Sequence, residues 1–406
     1  MICGSTRRAR WGAPATALAA GVLLAACGGS GGDGGSAGAE PTPHGYVEGA
    51  EETAETQWRL VLADPEGGRI HTLDPATGET ADAGEVPGVT AARSDGRFAY
   101  LTTGQGLRVF DGGTWTVDHG DHVHYYRADA RMVGDVDAAG TSGVSGDIAV
   151  TALATGGRVR VLDREALDAG RIEELARVAG GPAVAYAEHL VAAAPESGEV
   201  TVHDRAGRRL SRLPEACPDP RGQATTRRGA VLGCADGALL VTHEDGTFQA
   251  AKIAYPGEVP ADERAAEFRH RPGSDVLAAR AGGDGAWVLD VRAREWHRVG
   301  TGRPALAVNA VGGDSPVLLL GRDGALRSYD PATGAELAET GLLETGAPER
   351  DAPGAAAPVI EVDTARAYVN DPAARAVHEI DYNDDLRVAR TFDLPFSPAH
   401  MVETGW

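Results

Sequence analysis

Arg59-Leu60-Val61-Leu62-Ala63-Asp64, a turn, then Arg69-Ile70-His71-Thr72-Leu73-Asp74: this stretch holds the unit from which most of the chain is built. A strand of small apolar residues runs into a Gly-containing turn and a second strand that ends in Asp. The unit returns as Phe98-Ala99-Tyr100-Leu101 with Leu107-Arg108-Val109-Phe110-Asp111, and further copies begin at Ile148, Leu190, Val231, Val276, Val317 and Ala367. The clearest second strands end in Val161-Leu162-Asp163, Val202-His203-Asp204, Val288-Leu289-Asp290, Ser328-Tyr329-Asp330 and Glu379-Ile380-Asp381. The interval of roughly 40–50 residues is that of one four-stranded propeller blade. Side chains alternate along Arg158-Val159-Arg160-Val161-Leu162 and Glu199-Val200-Thr201-Val202, so one face is buried and one is wet. Asp74-Pro75-Ala76-Thr77-Gly78 and Asp330-Pro331-Ala332-Thr333-Gly334 repeat the same turn chemistry, and long runs at helical spacing are absent.

The pattern predicts an all-β fold, a β-propeller over residues 57–406. Eight hairpins imply eight blades, or seven if one hairpin is an insertion. The first copy lacks an innermost strand of its own, and Ala399-His400-Met401-Val402-Glu403 is left over after the last. This spare C-terminal segment is expected to supply that strand and close the ring, which removes the free sheet edges.

Ahead of the repeats the chain opens with Arg7, Arg8 and Arg10, a short apolar stretch from Ala13 to Ala26, and Leu24-Ala25-Ala26-Cys27. A basic start, a short apolar run and small residues before a cut make a secretory signal peptide over residues 1–26, not a spanning helix. Leu-Ala-Ala-Cys resembles the bacterial lipobox, which implies lipidation of Cys27 and an anchor on the outer face of the cytoplasmic membrane. An ordinary signal peptide with an incidental cysteine is the competing reading. Residues 27–56, rich in Gly, Ser and acid, read as a tether to the lipid.

The chain has 38 basic and 59 acidic residues, a net charge of −21, and loss of the leader removes three more arginines and no acid. Such a surface lacks the basic footprint of a nucleic-acid-binding protein. Of the four cysteines, Cys3 leaves with the leader and Cys27 takes the lipid. Cys217 and Cys234 are an even pair for which a disulfide is the default outside the cytoplasm, with a two-thiolate metal site as the alternative.

One stretch is dense in metal-binding side chains: His119-Gly120-Asp121-His122-Val123-His124-Tyr125-Tyr126. In an extended segment His122 and His124 point to the same side. Two imidazoles with His119 and Asp121 close by suit Zn2+, which takes nitrogen and oxygen ligands tetrahedrally. Surface histidines at a blade edge are the bland alternative. His189, His270 and His400 stand next to strands near the central channel and are secondary candidates to complete a site. His71, His203, His243, His297 and His378 fall in second or outer strands and are not expected to take part. Residues 57–406 carry no Gly-x-Ser-x-Gly elbow, the chain has no P-loop or His-Glu-x-x-His motif, and acid pairs such as Glu51-Glu52 read as solvated faces.

Four landmarks together resemble the AztD-type zinc metallochaperones. They are Pro43-His44-Gly45-Tyr46-Val47-Glu48-Gly49-Ala50, the histidine-rich stretch, Gly233-Cys234-Ala235-Asp236-Gly237, and Ala399-His400-Met401-Val402-Glu403-Thr404-Gly405. The resemblance implies an extracytoplasmic propeller, not an enzyme, that carries zinc to the substrate-binding protein of a zinc ABC transporter. His122 and His124 would be the leading ligands. Two positions depart from the pattern: Arg221-Gly222 follows Cys217-Pro218-Asp219-Pro220 where a His-Gly is expected, and Gly140-Thr141-Ser142-Gly143-Val144 lacks an expected histidine. Two other functions compete: a lipid-anchored protein-interaction propeller, and an enzyme with a channel site.

Overall fold

The computed structural model describes residues 45–118, 122–344 and 357–406. The signal peptide, Cys27, His119 and Asp121 lie outside the described residues. Those described form eight consecutive antiparallel blades and one small extra sheet. In every blade the second strand is one of the copies read from the sequence, as with Phe98–Thr103, Val150–Thr155 and Val317–Gly321.

The ring closes with strands from both ends of the chain. His400–Thr404 is the innermost strand of the first blade and pairs antiparallel with Arg59–Asp64, so that Leu60 faces Glu403 and Leu62 faces Met401. Arg69–Leu73 and Thr80–Glu85 complete that blade. The seven-blade alternative is thereby excluded. The sixth blade has three strands, Val276–Arg280, Ala286–Asp290 and Glu295–Val299, and a bridge from Arg269 to Ala278 takes the inner place. Tyr255, Trp287 and Trp296 pack beside it with ring centroids 4.6–5.9 Å apart.

The repeated Asp has a mechanical role. Asp74 Oδ1 accepts hydrogen bonds from the backbone N–H of Ala76 and Thr77 (2.8 and 3.2 Å), and Asp330 Oδ1 does the same for Ala332 and Thr333 (3.0 and 2.7 Å). The turns then finish on Gly78 and Gly334, at φ +79° and +69°, a conformation that a Cβ would strain. These amide contacts hold the Asp330 carboxyl below its usual range.

Stability comes from blade packing on blade. Between the first two, Val61, Ala63 and Ile70 meet Val89, Ala99, Leu101 and Phe110, all at most 2 % exposed. Each such large aliphatic contributes roughly 1.5–3 kcal/mol over its exposed state. Cys217 and Cys234 form a disulfide within a similar layer, so their thiols do not make a metal site. Among the described residues no helix is long and apolar enough to cross a membrane.

Segment 45–56, read from sequence as part of the tether, is built into the molecule. Glu51–Thr53 forms a strand, and the Gly45 carbonyl accepts the Trp115 indole N–H at 3.0 Å. A Cβ on Gly45 would lie 2.3 Å from Val117, so only glycine fits this approach.

Candidate metal-binding site

His124 lies in the second strand, and His122 just before it, of a hairpin, Thr114–Asp118 and Val123–Arg127, inserted between the third and fourth strands of the second blade. The N-terminal strand pairs with its outer edge, Glu52 opposite Tyr126 and Thr53 opposite Tyr125. Period-2 alternation divides the hairpin into two faces. Val123, Tyr125 and Thr116 line a cavity of about 600 Å³ in the channel. Trp115, Tyr126 and His124 take the other face.

Arg97 anchors that second face. Its guanidinium is 2 % exposed, binds Asp111 through two hydrogen bonds (3.2 and 2.8 Å), reaches Asp168 at 3.1 Å and sits 3.6 Å over the Trp115 ring. Trp115 stacks in turn on Tyr126, with centroids 5.4 Å apart. From the far end of the chain, Thr116 donates to the Gly405 carbonyl at 2.6 Å and Thr114 meets Thr404 at 3.2 Å. The hairpin is therefore clamped by the second blade, by the N-terminal strand and by the closing strand.

The His122 and His124 rings meet edge to face with centroids 5.0 Å apart. His122 is exposed and His124 half-buried. His124 Nδ1 lies 2.8 Å from Glu52 Oε1. A carboxylate only accepts, so Nδ1 donates in this contact and the ring is oriented by it. Glu52 is the residue that sequence reasoning missed. Taken as part of a solvated acid pair, it becomes a partner of His124 because the strand Glu51–Thr53 crosses to the hairpin. The signal was its position just after the landmark that ends at Ala50. Glu51, on the opposite face, pairs with Arg127 at 2.9 Å.

The secondary candidates are elsewhere. His189 Nδ1 bonds to the Ala187 carbonyl at 2.6 Å and its ring packs against Phe248 and His243. His400 Nε2 meets the Val89 carbonyl at 3.2 Å, and burial lowers its pKa. His270 lines the 600 Å³ cavity, holds the Arg271 carbonyl through Nδ1 at 2.9 Å and is likewise kept neutral by burial. Among the described residues no group of three or more His, Cys, Asp or Glu is arranged to hold a metal ion, so these three do not join His122 and His124. The same cavity contains one half-buried carboxyl, Glu361, and one buried, Glu403. Burial pushes Glu361 up to about 7, and holds Glu403 well above the carboxylate range with help from Asp363 and Glu361. Ser142 and Arg221, the two departures noted above, line one cavity of about 420 Å³ farther down the channel.

An eight-bladed propeller whose first blade is completed by a strand from residues 400–404 is a specific architecture. It is the AztD-type fold. The chain is similar to AztD from Citrobacter koseri (TM-score 0.71, 18 % identity, 87 % of this chain and 99 % of that one) and to apo AztD from the same organism (TM-score 0.69, 16 % identity, 86 % and 98 %). It is similar at a greater distance to the dihydro-heme d1 dehydrogenase NirN (TM-score 0.53, 14 % identity, 86 % and 75 %). No protein-family model and no curated protein matches the sequence.

Proposed function

We propose that this protein is a zinc carrier that binds the ion through His122 and His124 and hands it to the substrate-binding protein of a zinc ABC transporter. The observation that carries the reading is the pair of imidazoles 5.0 Å apart with Glu52 on Nδ1 of one of them. Two imidazoles on one tetrahedral zinc, at about 2.0–2.1 Å each, have centroids about 5 Å apart. The AztD-type fold and the Pro43–Ala50 and Ala399–Gly405 landmarks support the same reading. His119 and Asp121, three and one residues before His122, are the further ligands in this proposal.

Transfer is ligand exchange. With His122 exposed, incoming imidazoles from the acceptor displace the donor's ligands one at a time, each Zn–N bond to the donor breaking as one to the acceptor forms, with no covalent change in either protein. Neutral imidazole is the binding form, so affinity falls as pH drops through the histidine range. Lipidation at Cys27, cleavage before it and residence on the outer face of the cytoplasmic membrane belong to the proposal. A lipid tether confines the search for a membrane transporter to the surface and raises effective concentration. The test is calorimetric zinc titration of the wild-type protein beside His122→Ala/His124→Ala. Binding at micromolar or tighter that the double variant loses is expected. Absence of binding, or equal binding by the variant, overturns the proposal.

A further inference from the structure

The far end of the channel has the opposite character from the histidine end. Ser142, Ala305 and Ile360, at or near the starts of inner strands, line a cavity of about 570 Å³, whereas Asn309 and Glu403, toward strand ends, line the one beneath the histidine hairpin. On a chain of net charge −21, the lining at the far end is basic. Among the described residues it carries Arg93, Arg264, Arg269, Arg280 and Arg322 against Asp262 and Glu267.

Among the described residues, carboxylates do not neutralise Arg93, Arg269 and Arg280 one for one. Arg264 is accounted for by Asp219 at 3.2 Å and the Val259 carbonyl. Glu267 serves two guanidiniums at once, Arg93 at 3.2 Å and Arg269 at 3.0 Å. Arg269 also reaches Glu361 at 3.5 Å, but burial pushes that carboxyl up to about 7, so it is only part ionised at neutral pH. Arg280, half-buried at the end of strand Val276–Arg280, has no carboxylate within 4.0 Å among the described residues. Arg93 Nε is fully buried with no acceptor.

We propose that this end of the channel is a binding site for a small polyanion, a molecule bearing two or more carboxylate or phosphate groups, with Arg93, Arg269 and Arg280 as its principal contacts. Guanidinium forks match such groups in pairs, and a concave site with low-dielectric walls focuses their field. The volume is in the range of small-metabolite pockets and exceeds what one inorganic anion fills, which favours a ligand with spaced charges. None of the histidine hairpin lines this cavity, so the inference is independent of the zinc proposal.

The experiment uses metal-free protein at low ionic strength, titrated calorimetrically with tricarballylate and, separately, tripolyphosphate. Saturable binding of at least one is expected, and the stronger probe tells whether carboxylate or phosphate is preferred. Arg280→Ala weakens it roughly tenfold and Arg280→Glu removes it, while Arg158→Ala, an exposed arginine on another blade, leaves it unchanged. Circular dichroism confirms that each variant is folded, and Arg93→Ala, at a second principal contact, weakens binding as well. His122→Ala/His124→Ala binds the probe like wild type, so the two proposals fail separately. Absence of binding by both probes, or undiminished binding in Arg280→Glu, overturns the inference.

Discussion

Replacing Glu52 by Gln probes whether the His124 ring is held as a metal ligand. The carboxylate lies 2.8 Å from Nδ1 and orients the ring. Loss of such a partner weakens metal affinity about 10–100-fold. The side chains of His124 and Glu52 are 23 % and 46 % exposed, so water partly replaces what is lost and the lower end applies. The expected effect is therefore about tenfold, or roughly 1.4 kcal/mol. Competition with a chromogenic zinc chelator at neutral pH measures it. Glu51→Gln is the control: Glu51 is on the same strand, faces the other way and pairs with Arg127, so its loss leaves zinc affinity unchanged. If Glu52→Gln binds zinc as wild type does while His124→Ala does not, the orienting role is refuted. If Glu51→Gln weakens binding equally, the effect belongs to the strand and not to the carboxylate.

Two further predictions concern stability. Asp111→Ala leaves the Arg97 guanidinium buried with Asp168 alone, which costs about 3–5 kcal/mol in denaturant unfolding, and a loss under 1 kcal/mol contradicts the anchoring role of this pair. Glu361 ionises near 4.5 when unfolded and at about 7 in the fold, because burial disfavours its charged form. Between those values the folded state holds more protons, so this group's contribution to stability declines as pH rises from 4.5 to 7, by roughly 3 kcal/mol in all. Thermal melts across that range should show a shallower decline for Glu361→Gln than for wild type, and identical slopes refute the assignment.

The architecture was legible because it repeats. Each copy brings its own alternation and its own Asp turn, and the strand missing from the first copy pointed to the spare segment at the end. The site was legible only in part. The His-x-His spacing settles that His122 and His124 share a face, since strand geometry is local. The meeting of Glu52 with His124 depends on a register between strands 72 residues apart, which no local pattern encodes. The same holds for the arginine-lined cavity, where Arg93, Arg269 and Arg280 come from the second and sixth blades and converge through closure of the ring. His189 and His400 were plausible by position along their strands, and in the fold their rings meet the carbonyls of Ala187 and Val89.

Closure by the last strand also sets an order of events during synthesis. A chain made from its N-terminus adds residues 400–405 after every other described strand, and until they arrive the first blade lacks its inner strand, Thr114 lacks Thr404 and Thr116 lacks the Gly405 carbonyl. The paired imidazoles reach their final setting only in the finished molecule. Copies cut before residue 400 present the same histidines without the Thr404 and Gly405 contacts that hold their hairpin.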